Sequence, residues 1–457
     1  MAHQIIAARQ ALTAQGWREN VVVAVDEAGR IAAIEDAYGK HADVSVGALL
    51  PAIGNVHSHA FQRAMAGLAE TRGRNPVDNF WTWREVMYRF LAQLTPEDVE
   101  AIGAQVQMEM LEAGFGSVGE FHYLHHQPDG ASYAALGELS ERMFAAAEET
   151  GIGYTHLPVL YMRGGLKDEP LSGAQLRFGC DIDQFERLIE DLKLRLKNRP
   201  ADFHLGVAPH SLRAVDNDAL KRAAALAPDA PVHIHIAEQT SEVEDVKDAL
   251  GARPVEWLLK HHDVNERWCL VHATHMTQRE IQSAAASNCV IGACPITEAN
   301  LGDGVIEAED LLNVGGRIAV GSDSNVRISL AEELRMLEYS QRLRDKRRAV
   351  LASATQSCGR YLYEHCAKGG AQALGRDAGR IETGAIADLV ALDLDCMTLA
   401  GLSGDTLIDA WVFAGDDSVV TDVWSAGRRM VKDGRHIKRK EIETRFTAVA
   451  KKLRATL

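Results

Sequence analysis

His57-Ser58-His59 sets two imidazoles two residues apart. In an extended strand, side chains at i and i+2 share one face, so both rings can reach a single cation. A lone pair of this kind arises often by chance; its weight comes from three other stretches. His233-Ile234-His235-Ile236-Ala237-Glu238, Val271-His272-Ala273-Thr274-His275 and Gly321-Ser322-Asp323-Ser324 each close a short apolar run. His57, His59 and His235 are candidate neutral nitrogen ligands and Asp323 a candidate carboxylate ligand, which leaves a position for water. A zinc ion held this way lowers the pKa of its water to about 7, so hydrolysis is the chemistry on offer. Asp323 is then the candidate general base, Glu238 the candidate proton carrier, and His272 the candidate hydrogen-bond partner where charge develops.

Neighbouring residues carry plainer expectations. His233, on the same face as His235, suits a packed barrel histidine, and His275 suits a structural role over ligation. Cys269, Cys289 and Cys294 lie in apolar runs and suit inert core thiols. His125 and His126 fall past a strand, where a polar loop is the default, and the Arg342–Arg348 charge run suits a solvated helix face.

Residues so far apart in the chain meet only if a scaffold gathers them. Eight apolar runs can do so: Leu49–His59, Ser117–Tyr123, Gly153–Tyr161, Phe203–His210, Val232–Glu238, Trp268–His275, Cys289–Thr297 and Arg317–Ser324. Most intervals between them are long enough for a crossover helix. One helix is signalled locally by Thr95 as N-cap, Pro96 at the first position, Glu97 and Asp98 in the first turn, and an apolar stripe of Val99, Ile102, Val106 and Met110 before Gly114. Eight buried strands alternating with helices are the arithmetic of an α/β (β/α)₈ TIM barrel, in which catalytic residues gather at the C-terminal ends of different strands. Residues 162–179, with Gly164-Gly165 and Gly173, form a long loop after the third strand, equally suited to a lid or a surface insertion.

The chain ends read differently. Val21–Val25 and Ile31–Ile34 flank a turn at Asp26–Arg30, and Ala387–Asp393 and Val419–Trp424 are similar short β-rich runs. Neither end is long enough for its own core, so the two are expected to join as one small β-sandwich. The expected division is 1–48 and 376–457 for that unit, the latter with a C-terminal helix, around a barrel at 49–375.

The 457 residues carry 49 Lys+Arg against 64 Asp+Glu, a net charge of −15, which argues against nucleic acid as a partner. The same acidity means that an anionic substrate must be held by local arginines. Hydrophobic content of 46% and charged content of 25% exclude disordered and fibrous classes. Seven cysteines without a CxxC pair read as reduced thiols, no apolar run reaches a membrane span, and the N-terminus lacks signal-peptide features. A cytoplasmic enzyme with no membrane partner is the expectation.

The ligand pattern, HxH followed by His, His and Asp, resembles the amidohydrolase superfamily, and Gly379-Arg380-Ile381-Glu382-Thr383-Gly384 leading into Ala387–Val390 matches its split sandwich. The fourth run ends Ala208-Pro209-His210-Ser211, without the lysine that bridges two metals in binuclear members, so the resemblance implies one divalent ion, zinc. Residues 55–69, 80–89, 120–126, 210–215 and 297–304 further resemble the branch that deiminates N-formimidoyl-L-glutamate in histidine degradation. That resemblance implies hydrolysis to N-formyl-L-glutamate and ammonia: hydroxide on the metal attacks the formimidoyl carbon while Glu238 protonates the imine nitrogen. It also implies a homodimer and a dicarboxylate grip by Arg84 and Arg213, with Gln62, Tyr123 and His210 as hydrogen-bond partners. The plainer role for Arg84 is cation–π packing on Trp81 or Trp83. Two other functions stay open: a nucleobase or nucleoside deaminase of the same superfamily, and a non-catalytic barrel used for assembly.

Overall fold

The computed structural model describes residues 2–70 and 80–455, with the side chains of Ala2, His3, Phe80, Trp81, Thr82 and Glu85 outside that description. Eight parallel strands form its centre: β1 (Ile53–Ser58), β2 (Phe115–His122), β3 (Gly153–Leu160), β4 (Phe203–Leu205), β5 (Val232–Ile236), β6 (Trp268–His272), β7 (Val290–Ala293) and β8 (Arg317–Val320). They pair in chain order as two arcs, β1 to β4 and β5 to β8. The arcs meet at both seams. At one, Ser58 bridges Asp323; the Asp323 amide donates to the His57 carbonyl and the His59 amide to the Asp323 carbonyl, each at 2.9 Å. At the other, Val207 bridges Val232, and its amide donates to the Pro231 carbonyl at 3.0 Å. The (β/α)₈ barrel expected from the eight runs is closed in this way.

Every residue of β1, β2 and β3 is buried, because barrel filling covers one face and helices the other. Continuous burial also hides a boundary from the sequence. The run at residues 49–59 is two strands: Val44–Pro51 belongs to a different sheet, and the chain enters the barrel only at Ile53. The seventh strand stops at Ala293, since Pro295 opens the helix Pro295–Leu301.

The helix after Thr95 forms at Pro96–Glu112, with a capping box between Thr95 and Asp98, and Val99, Ile102, Val106 and Met110 point into the core. The helix Cys358–Ala373 runs against β1 and β8 and delivers Ala373 and Leu374 into a buried cluster with Val56, Val271 and Ala319. Both chain ends join, as expected of the small sandwich unit, and their strands are hydrogen-bonded as one continuous mixed sheet. Its order is Arg435–His436, Arg428–Lys432, Val420–Ser425, Leu389–Leu392, Val44–Pro51, Ala2–Thr13, Gly16–Asp26 and Ile31–Asp36. Ile6, Val23, Leu49, Leu389 and Trp424 form its core. A buried ion cluster ties this sheet to the N-terminal ends of the barrel strands. Arg376 grips Asp388 with two bonds of 2.6 and 2.9 Å and reaches Asp202, which Arg428 also holds. All seven cysteines are free, six of them buried, and among the described residues no helix is long and apolar enough to cross a membrane.

Candidate metal centre and substrate cavity

The C-terminal ends of β1, β5, β6 and β8 bring the candidate ligands together. His57 Nε2 lies 3.2 Å from His59 Nε2 and 3.0 Å from His235 Nε2. Asp323 Oδ1 lies 3.6 Å from His57 Nε2 and 3.4 Å from His59 Nε2. The other ring nitrogens fix the tautomers: His59 Nδ1 donates to the Phe121 carbonyl at 3.0 Å, and His235 Nδ1 to the His210 carbonyl at 3.2 Å. Those two Nε2 atoms are therefore bare lone pairs facing His57. His57 has at most one hydrogen for two such contacts, so the arrangement repels itself unless a cation sits among the lone pairs. Burial reinforces the point by holding His59 down at about 3 and His57 and His235 well below the usual imidazole range, which keeps all three neutral. The donor set fits one divalent ion.

Glu238 and His272 complete the rim. His272 Nε2 is 3.8 Å from both Glu238 Oε1 and Asp323 Oδ2, and its Nδ1 is 3.2 Å from Glu298 Oε1. Burial lowers the His272 pKa, but Glu238, Glu298 and Asp323 outweigh it and raise the ring well above its usual value. Burial pushes Asp323 up to about 7, with Glu238 and Glu298 adding to the rise and His272 opposing it. The backbone here is strained: Ala237, His272, Ala273 and Asp323 have φ of 51°, 66°, 48° and 45°, left-handed values that β-carbon-bearing residues avoid.

A cavity of about 600 Å³ opens from this cluster, lined by His59, His235, Glu238, His272 and Asp323 at one end. Gln62, Arg84, Tyr123, His210 and Arg213, the five residues expected to hold substrate, all line it too. Gln62 Nε2 donates to the Tyr123 hydroxyl at 3.0 Å, while the Gln62 carbonyl is buried without a hydrogen-bond partner. Arg84 lies over the Tyr88 ring, 4.9 Å from its centre, and donates to the Tyr88 hydroxyl. The packing expected on Trp81 lies outside the described side chains. Leu166 and Phe178, from the loop at 162–179, line this cavity or the one beside it.

Three carboxylates escaped the sequence reading. Glu298 orients His272 and also accepts from the Cys294 amide at 2.7 Å. Glu120, pushed by burial up to about 8, accepts from the Ala60 amide at 2.8 Å and so braces the turn after His59. Glu242 accepts from the Ala237 and Glu238 amides at 3.1 and 2.9 Å. Glu120 opens the stretch 120–126, Glu298 falls in the stretch 297–304 and Glu242 stands at the third position of a helix; those were the available signals. The plain role expected of His233 fits its 2.7 Å contact with the Ala373 carbonyl, and that of His275 its 2.8 Å contact with the Asp303 carbonyl. His125 and His126 are not in a polar loop. They are 2% and 3% exposed, because their ring nitrogens bond the Val159 and Gly179 carbonyls under the loop at 162–179. In the Arg342–Arg348 run, Arg342 departs from a solvated face: it is half-buried over Tyr339 and Phe413 and paired with Glu338.

The Amidohydrolase family matches residues 48–430. A formimidoylglutamate deiminase from Pseudomonas aeruginosa is 49% identical over 434 residues, 94% of this chain and 95% of that protein. A 5-methylthioadenosine/S-adenosylhomocysteine deaminase from Natronomonas pharaonis is 28% identical over 90% of this chain and 88% of its own length. The crystal structure of an amidohydrolase from Brucella melitensis superposes with a TM-score of 0.95 at 46% identity, covering 99% of this chain and all of that one.

Proposed function

Because this chain belongs to the amidohydrolase family, we propose that it is a hydrolase of C–N bonds that converts N-formimidoyl-L-glutamate and water to N-formyl-L-glutamate and ammonia. One observation carries the reading: a single cavity joins the three-imidazole, one-carboxylate cluster to two guanidinium groups. His57, His59, His235 and Asp323 are the residues that hold the ion, and zinc suits them. When bound, that ion supplies Lewis acidity and makes hydroxide available from water near neutral pH.

The side chains do the rest. Arg84 and Arg213 grip the two carboxylates of the substrate, with Gln62, Tyr123 and His210 completing the hydrogen bonds. Asp323 accepts the proton of the attacking water at its carboxylate. Glu238 delivers a proton to the imine nitrogen, which makes the formimidoyl carbon more electrophilic and lets ammonia leave once the C–N bond breaks. His272, held by Glu298, hydrogen-bonds the new hydroxyl on that carbon. A cytoplasmic homodimer belongs to the same proposal.

The aromatic side chains Trp83, Tyr88, Tyr123, Tyr161 and Phe178 in the cavity wall favour one rival, a nucleobase or nucleoside deaminase that stacks a ring. Ammonia release from N-formimidoyl-L-glutamate, guanine and S-adenosylhomocysteine separates the two. The acyclic substrate is expected to turn over alone; turnover only of a ring overturns the proposal.

A further inference from the structure

Strand β5 ends in a backbone problem. Ala237 has φ 51°, which takes the chain out of the extended conformation just before Glu238 and strands two amides that no neighbouring strand can accept. The helix Thr240–Leu250 follows directly, with Gln239 at its N-cap making no side-chain capping bond. Glu242 stands at the third helical position, where a capping-box glutamate would reach back to the N-cap amide. Here it reaches further. Its two oxygens take the Ala237 amide at 3.1 Å and the Glu238 amide at 2.9 Å, one oxygen to each. A carboxylate in the first helical turn is also favoured by the helix dipole.

We propose that Glu242 is a positioning residue that fixes the direction of the Glu238 side chain by clamping the two amides of the strained turn beneath it. The proposal rests on the proton-carrying role of Glu238. A carboxylate alone suits this place, because it offers an acceptor to each amide. Glutamine offers one oxygen and turns an N–H toward the other amide; aspartate keeps both oxygens but falls one methylene short. The clamp also faces the substrate grip, since Glu242 and Arg213 line a second cavity of about 480 Å³ that adjoins the first through Glu238, His210 and His235. Its carboxylate thus lines one cavity together with the proton carrier and a guanidinium expected to hold substrate.

A double-mutant cycle with Glu238→Gln and Glu242→Gln tests the link. Glu242→Gln is expected to lower kcat about 10²-fold, the upper range for partners that orient a reacting group, with KM changed less than about threefold. The double variant should then be no slower than Glu238→Gln alone, because Glu242 acts only through Glu238. Losses that multiply overturn the proposal. Amide hydrogen exchange on the metal-free protein gives a readout independent of turnover: Glu242→Gln should raise exchange at residues 237 and 238 and leave strand β1 protected, and unchanged protection there overturns the clamp. Should Glu242→Gln fail to fold, Glu242→Asp carries both measurements. If the unaltered enzyme leaves N-formimidoyl-L-glutamate intact, the substrate assignment fails, and the cycle is read on whichever amine-bearing substrate it does hydrolyse.

Discussion

The two ends of the barrel hold buried charge in opposite ways. At the base, Arg376 is 5% exposed and its guanidinium is met by Asp388, the Asp202 side chain and the Asp202 carbonyl. Neighbouring side chains close off backbone acceptors as well, Thr155 bonding the Leu374 carbonyl and His233 the Ala373 carbonyl. At the mouth, lone pairs face lone pairs, the Gln62 carbonyl and His57 Nδ1 are buried without partners, and four residues sit in left-handed backbone. The base also leaves His233 Nδ1 and His204 Nε2 buried without partners and holds Ala426 at φ 44°, but its charges are paired, whereas at the mouth the strain and the facing lone pairs fall on the candidate ligands themselves. The base spends its polar groups on holding the two sheets together. In a (β/α)₈ barrel the same division separates function at the C-terminal face from stability at the N-terminal one.

Exchanging one residue at each end should therefore produce opposite phenotypes. Asp323→Asn keeps the shape but removes the proton acceptor and weakens the donor set. It should lower kcat/KM by about 10⁴-fold, near the upper limit for loss of acid–base catalysis, with bound metal reduced in elemental analysis. Its unfolding midpoint in the metal-free state should not fall, since a strained and repelling site has lost a charge. Arg376→Met should do the reverse. It leaves Asp388 buried without its guanidinium and Asp202 held by Arg428 alone, and should cost about 3–5 kcal/mol in urea unfolding, with kcat/KM per bound metal within about twofold of the parent. A fall in catalysis equal to that of the mouth variant would break the comparison.

The same contrast explains what the sequence discloses. Polar residues at the ends of apolar runs stand out because a buried strand has no reason to carry them, and so His57, His59, His235, Glu238, His272 and Asp323 were legible from type and spacing. Eight runs with helical intervals likewise specified the barrel. Glu298 and Glu242 were not legible, since a glutamate in a first helical turn is the ordinary pattern of a solvated helix start; only the strand end it faces makes it part of a site. The split at Ala52 was hidden because Val44–Pro51 and Ile53–Ser58 are consecutive apolar strands of two sheets. Ala2–Thr13, the strand joining the N-terminal hairpin to Val44–Pro51, carries no alternation strong enough to mark it.

Between the extremes lies the far wall of the cavity, where Arg213 is charged like Arg376 but is expected to find its carboxylate on the substrate. Arg213→Met should raise KM about 10²-fold, the loss of a charge-assisted pair, while kcat changes only a few-fold. Steady-state kinetics with N-formimidoyl-L-glutamate reads this directly. An unchanged KM would move Arg213 from the mouth's list to the base's, as a guanidinium satisfied within the protein.

The smallest effect is electrostatic and belongs to the base. Burial pushes the Asp202 carboxyl upward, but Arg428 and Arg376 outweigh it and hold its pKa below the usual carboxylate range. A depressed folded pKa means that the contribution is complete above the unfolded value of about 3.9 and is lost as pH falls through the folded one. Urea unfolding of the parent should therefore weaken as pH falls below about 4, on top of the general acid loss. Arg428→Met lets Asp202 return toward its unfolded value and should flatten that part of the slope by about 1 kcal/mol or less, since the Arg428 side chain is 37% exposed and screened by solvent. Arg376→Met should flatten it less, because that guanidinium meets the Asp202 carboxylate once, at 3.3 Å, where Arg428 meets it twice, at 3.0 and 2.6 Å. If neither variant changes the acid slope, the base is held by packing and not by charge, and its contrast with the mouth reduces to geometry.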